Sequence, residues 1–288
     1  MARPAYVPQP GPADAPRVIA VEGRGRGFRM PLKAGALLVD AVRDGFANEG
    51  FAFGVLNIGA MALGPFAYVM PALSKDGKNA AFYSETFRPA GVTRFECGAL
   101  TFGSRDGAPF FHCHGIWREA DGRRGGGHVL PEEARLAEDA TIEAFGIDGA
   151  GFEVASDAET NFRLFGPAPA PTCGTKTDRS AFVLRLRPNQ CFHTAIENFA
   201  REKGLANASI HGGVGSTIGA LFEDGREVEN FATEIFIRQG RIARNAAGGH
   251  AAQLDVGVVD YTGVIAEGRL MRGANQVLMT FELIVAEG

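Results

Sequence analysis

Two periods of apolar residues alternate along the chain. Leu37, Leu38, Ala41, Val42 and Phe46 recur at helical spacing, which predicts an amphipathic helix stopped by Gly50. Short apolar runs bounded by glycine predict strands over residues 28–32, 53–58, 66–70, 91–102, 110–117 and 140–145. The order then restarts: a strand over residues 182–186 leads to a second helix, stopped by Gly204.

The restart is a repeat. Leu32-Lys33 aligns with Leu186-Arg187, and Asp40-Ala41-Val42 with Thr194-Ala195-Ile196. One inserted residue sets Phe46 to Phe51 beside Phe199 to Leu205. Asn57-Ile58-Gly59 then matches His211-Gly212-Gly213, and Ala140-Thr141-Ile142-Glu143 matches Met279-Thr280-Phe281-Glu282. The expected fold is α+β: two tandem copies of a mainly antiparallel β-sheet domain, with one principal helix each. A Pro- and Ala-rich stretch, 1–16, reads as a disordered N-terminal arm. The first domain spans 17–166, a Pro-rich linker 167–180, and a degenerate second copy 181–288.

Composition narrows the classes. Of 288 residues 45% are hydrophobic, enough for a sizeable core, and 39 glycines favour tight turns over a helical bundle. The net charge of −4 is unlike that of a protein living on phosphate backbones. Cys97, Cys113, Cys173 and Cys191 form no C-x-x-C pair and read as reduced thiols, which with the absence of a signal-peptide core predicts a cytoplasmic protein. No apolar run approaches the roughly 18 residues that a membrane span needs.

The chemistry concentrates in residues 110–128. On a strand, His112 and His114 project to one face and Cys113 to the other, into the core. Asp121-Gly122 turns the chain, so a hairpin returns His128 beside them. Three imidazoles with an open fourth position form a catalytic-type zinc arrangement. Glu96 and Glu143 are the candidate proton-moving carboxylates, each of which also reads as a structural ion-pair member, and Arg94 is a candidate anion clamp that also reads as a solvated strand-edge arginine. Asn57 and the Gly59-Ala60 turn are candidates for polar contacts to a ligand.

Several of these residues carry a resemblance. The helix ending Phe-Ala-x-Glu, the Asn-x-Gly-Ala strand end, Phe95-Glu96, the H-x-H, the Gly-Gly-His and the tail from Asp157 to Phe165 resemble the plant-and-prokaryote-conserved (PPC) domain over about residues 18–166. The resemblance implies a compact antiparallel α+β domain, trimers in single-domain members, and zinc on His112, His114 and His128. It also implies a fold similar to that of acetolactate decarboxylase, and, in plants, attachment to DNA-binding AT-hooks. Gly23-Arg24-Gly25-Arg26-Gly27 lacks the proline that follows an AT-hook's core, and reads as a glycine-rich loop feeding the first strand.

In the second copy Gln253, Asp255 and Arg269 stand where the three histidines stand in the first, so no equivalent metal is expected there. His193, His211 and His250 read as structural or surface residues. The expected function is that of a zinc-dependent lyase or hydrolase for a small oxygenated or carboxylate-bearing molecule. It would act as a trimer or other homo-oligomer without a membrane partner. The alternatives are a DNA-associated regulator, which the acidic balance disfavours, and a non-catalytic metal- or metabolite-binding oligomerisation module.

Overall fold

A computed structural model describes residues 3–244 and 248–288 of the protein. The first half runs β1 (Val18–Leu32), α1 (Leu38–Asn48), β2 (Phe53–Ile58), β3 (Met61–Leu63), β4 (Tyr68–Val69), β5 (Pro71–Leu73), β6 (Ala81–Tyr83), β7 (Thr93–Arg105), β8 (Ala108–Arg118), β9 (Arg124–Val129), β10 (Ala140–Asp148), β11 (Ala150–Asp157) and β12 (Phe162–Pro169). The second runs β13 (Arg179–Leu186), α2 (Phe192–Glu202), β14 (Asn207–Leu221), β15 (Glu227–Arg244), β16 (His250–Asp260), β17 (Ile265–Arg269) and β18 (Val277–Glu287). The fold is α+β, dominated by antiparallel sheet with one principal helix in each half. No helix among the described residues is long and apolar enough to cross a membrane.

The main sheet has the order β17-β16-β15-β14-β18-β13-β1-β10-β2-β7-β8-β9-β4. Read outward from the centre, β13-β18-β14-β15-β16-β17 repeats β1-β10-β2-β7-β8-β9, so the duplication is visible in the topology. The halves join where β1 pairs antiparallel with β13, from Val18 opposite Leu186 to Gly25 opposite Arg179. The ladder corrects one detail of the repeat. Asn57 pairs with Glu143, whereas its counterpart His211 pairs with Ile284. Glu143 therefore corresponds to Ile284, two residues beyond Glu282. A two-residue slip keeps every side chain on the same face, so the apolar pattern cannot reveal it.

Each helix covers the outer face of its own half. On α1, Leu38, Val42 and Phe46 pack with Met30, Phe102 and Phe111. On α2, Phe192, Ile196 and Phe199 pack with Leu184, Leu254 and Phe281. Gly50 and Gly204 end the helices at φ +81° and +70°, a region in which a side chain is strained. The inner faces of the two half-sheets pack on each other through Ala99, Ile116, Val214, Phe236 and Val259.

Three expectations change. The arm is not disordered over residues 3–16: the Arg3 guanidinium donates to Ile218 O at 2.9 Å and Ala274 O at 2.7 Å, and Gly11 N donates to Glu159 O at 2.9 Å. Backbone acceptors, which leave no signature in a sequence, hold it. The stretch Gly166 to Pro169 is strand rather than linker, because β12 pairs only with β11 and an edge strand tolerates proline. Gly23 to Gly27 is also strand, held by β13 and β10. A Cβ at Gly25 would lie 2.3 Å from the Phe145 ring, and Arg26 pairs with Glu49 at 2.5 Å. Neither arginine belongs to a free groove-reading arm.

The remaining histidines have structural surroundings. His250 donates from Nε2 to Leu205 O at 2.7 Å, and His211 stacks on Phe145 at 4.2 Å. Burial pushes the His193 imidazole down to about 4, against the pull of Glu197. The folded chain thus keeps His193 neutral, while the unfolded chain takes up a proton below about 6.5. Stability is lost as pH falls from 6.5 towards 4, and this ring costs of the order of 2 kcal/mol by pH 5. In urea titrations His193→Gln should lose that much less than the parent between pH 7 and pH 5. Equal losses would contradict the assignment.

Candidate metal centre

Strand alternation on β8 divides its side chains. Phe111, Cys113 and Trp117 enter the core beneath α1, while Ile116 enters the core between the halves. His112 and His114 share the face of Ile116 and so look toward the second half. Asp121 and Gly122 close the β8–β9 hairpin: Gly122 takes φ +89°, and the Asp121 carboxylate accepts from Arg123 N at 2.9 Å. The register sets His128 directly across from His114.

The three rings converge. Nε2 of His112 lies 2.9 Å from Nε2 of His114, which lies 3.2 Å from Nδ1 of His128. Ligands about 2.0–2.1 Å from a tetrahedral zinc sit roughly 3.3 Å apart, so the spacing is close to that of a filled site. The outer nitrogens strengthen the fit. His112 Nδ1 contacts the Glu282 carboxylate, and His114 Nδ1 donates to Ile235 O at 3.1 Å. With both Nδ1 atoms donating, the two facing Nε2 atoms each present a lone pair. Two lone pairs at 2.9 Å repel unless a cation lies between them. This donor set could hold a metal, and it is the one such group among the described residues.

The second half completes the surroundings. On β15, Glu234 and Phe236 face the first half, while Ile235 and Ile237 pack under α2. On β18, Glu282 and Ile284 face inward in the same way. Glu282 is fully buried. Glu234 is buried too, with Oε1 at 3.9 Å from His114 Nε2 and Oε2 unpartnered among the described residues. Burial holds the Glu234 carboxyl well above the usual range. Burial also holds His114 and His128 well below theirs, helped by the neighbouring His112 ring. Burial thus disfavours the charged form of both partners in the Glu234–His114 contact.

The structure does not bring Glu96, Glu143 or Arg94 to the histidines. Glu96 bonds Arg118 at 3.1 Å and Arg124 at 2.7 Å, and Arg94 is clamped by Glu138 at 2.6 Å. Glu143 is 70% exposed beside Arg29, and Asn57 accepts from Gly212 N at 3.1 Å. These acids are exposed on their strands, where an ion pair is worth about 0–1 kcal/mol. The acids at the centre are Glu234 and Glu282, which the sequence reading missed. Its own criterion of a carboxylate inside an apolar strand points to both, in Thr233-Glu234-Ile235-Phe236 and Phe281-Glu282-Leu283-Ile284.

Two cavities adjoin the rings. The inner, about 60 Å³, is lined by His112, His114, Glu234 and residues of β6 and β18. The outer, about 420 Å³, has His112 and His128 at its base. In the second half, Asp255 lies across from Arg269 on β16–β17 as His114 lies across from His128, and Gln253 accepts from Arg241 at 2.8 Å.

Residues 174–288 match the family described as the Plants and Prokaryotes Conserved (PCC) domain, on the half that the sequence reading took for the fainter copy. No curated protein sequence matches the chain. Among solved structures, the chain is similar to a metal-containing protein from Archaeoglobus fulgidus. That match has 19% identity and a TM-score of 0.40, and covers 51% of this chain and 98% of the other. A plant- and prokaryote-conserved protein from Pyrococcus horikoshii matches at 20% identity and a TM-score of 0.38, over 51% and 94% of the two chains. The stretch that matches the Plants and Prokaryotes Conserved domain, residues 174–288, is thus joined in one sheet to a first half of the same strand order that holds the histidines.

Proposed function

We propose that the protein is a zinc-dependent lyase or hydrolase for a small oxygenated or carboxylate-bearing molecule, with His112, His114 and His128 as the metal ligands. The observation that carries this reading is a three-nitrogen donor set beside a buried carboxyl, Glu234, that is not itself part of the set. A purely structural zinc site closes all four positions with protein ligands. Zinc bound here would supply Lewis acidity, polarising a substrate carbonyl or acidifying water.

The chain's own groups do the rest. Glu282 and Ile235 O fix the tautomers of His112 and His114, leaving both Nε2 atoms free to ligate. Glu234 holds a proton on the wall of the inner cavity and delivers it to the reacting atom, or receives one in the reverse sense. The inner cavity is small, so the reacting group that it takes is small.

Cobalt(II) substitution tests the open position. The loaded protein should show the strong visible absorption of a low-coordinate ion, and added acetate should shift the spectrum by entering the fourth position. A spectrum indifferent to every small carboxylate would mean a closed centre and remove the enzyme reading.

A further inference from the structure

The outer cavity carries information that the histidines do not. Its walls are aromatic: Phe82 and Tyr83 from β6, Phe110 from β8, and Phe162 and Phe165 from β12. Phe82 and Tyr83 lie 5.7 and 5.9 Å from Phe162, and Tyr83 lies 5.3 Å from His128. The wall is thus continuous from the rim to the metal ligands. Phe82 stays 52% exposed, a large apolar surface left open to water at the mouth.

Arg105, Arg163 and Glu132 are the charged side chains that line that cavity, two cations to one acid. Arg163 is tied to Asp106 by two bonds, of 3.0 and 2.6 Å. Arg105 has no carboxylate partner among the described residues. Its guanidinium is held 5.2 Å over the Phe110 ring, at the cavity wall. A stacked guanidinium keeps its outward N–H groups available for an anion, while the ring limits the entropy lost on binding.

Resting on the metal reading above, we infer that the substrate class is an acid with a flat apolar or aromatic body. Its oxygen-bearing reactive group faces His112 and His128, its body lies against the wall formed by Phe82, Phe162 and Phe165, and its anionic group pairs with Arg105. A cavity of about 420 Å³ suits a small organic acid and is too confined for a folded partner.

The probe is 3-benzoylpropionate, which combines a phenyl ring, a ketone oxygen and a carboxylate. The comparison is 4-oxopentanoate, which has methyl in place of phenyl. Calorimetric titration of the zinc-loaded protein should give at least roughly tenfold tighter binding of the phenyl compound, from the extra apolar surface buried. Arg105→Met should weaken 3-benzoylpropionate at least fivefold while leaving zinc content unchanged. Equal affinities for the two acids, an indifferent Arg105→Met variant, or no binding of either acid at millimolar concentration would overturn the inference. The two readings separate in one set of samples. If zinc fails to bind but the phenyl preference and its Arg105 dependence persist, the metal reading falls and the acid site stands. If zinc binds and the preference is missing, the reverse holds.

Discussion

Replacing Asp157 with alanine is expected to destabilise the protein by about 3 kcal/mol, near the lower end of what removing one partner from a buried ion pair costs. Asp157 Oδ2 accepts from Arg185 at 2.8 Å and Arg187 at 2.9 Å, and Oδ1 accepts from the Thr160 amide and hydroxyl, each at 2.9 Å. Arg185 belongs to β13 and Arg187 directly follows it; both are buried, while Asp157 ends β11, so the carboxylate ties the two halves together. Burial pushes this carboxyl up, but Arg185 and the Thr160 donors outweigh it and hold it below the usual range. Alanine leaves Arg185 with Thr280 alone, and Arg187 with Asp14 and the longer 3.6 Å contact to Glu159, too few for two buried guanidinium groups. A loss of this size should lower Tm by on the order of 6–12 °C. Asp106→Asn, which removes an exposed pair with Arg163 but keeps a side chain that tolerates the φ of +53° there, should leave Tm nearly unchanged. Similar shifts for both variants would mean that the Asp157 network does not join the halves.

The second large effect concerns the metal ligands' support. Glu282→Ala removes the carboxylate that orients His112, and zinc affinity should fall by about 10- to 100-fold, as outer-shell losses do. Glu282→Gln should lose less, because its amide oxygen can still accept from Nδ1. Competition with a chromophoric chelator reads the affinity. An unchanged constant in Glu282→Ala would show that His112 is held by packing alone.

What was legible in the sequence was local. Period-two alternation through Phe110 to Trp117 and the turn at Asp121-Gly122 suffice to put three histidines on one hairpin face, because both rules act over a few residues. The same holds for Cys113 in the core and for the helix stops at Gly50 and Gly204. What lies across from that face was not legible. Ile235 and Glu282 are 121 and 170 residues from the rings they contact, and only the docking of the half-sheets brings them there. Glu96 and Glu143 lie elsewhere for this reason: each sits exposed in an ion pair on its strand, away from the face on which the histidines meet the second half. The repeat was legible as an order of elements, while the register of its last strand needed the ladder. Asp157 was quoted only as part of a tail motif, and its role depends on two arginines beyond the proline-rich stretch.

The central claim is that His112, His114 and His128 form one zinc centre completed by the second half of the chain. Metal analysis by mass spectrometry, on protein purified without chelators, tests it most directly. One zinc per chain is predicted for the parent protein and none for His114→Ala, with the variant still folded by circular dichroism. Zinc content unchanged by the substitution, or a parent protein that takes up no metal when zinc is supplied, would contradict it.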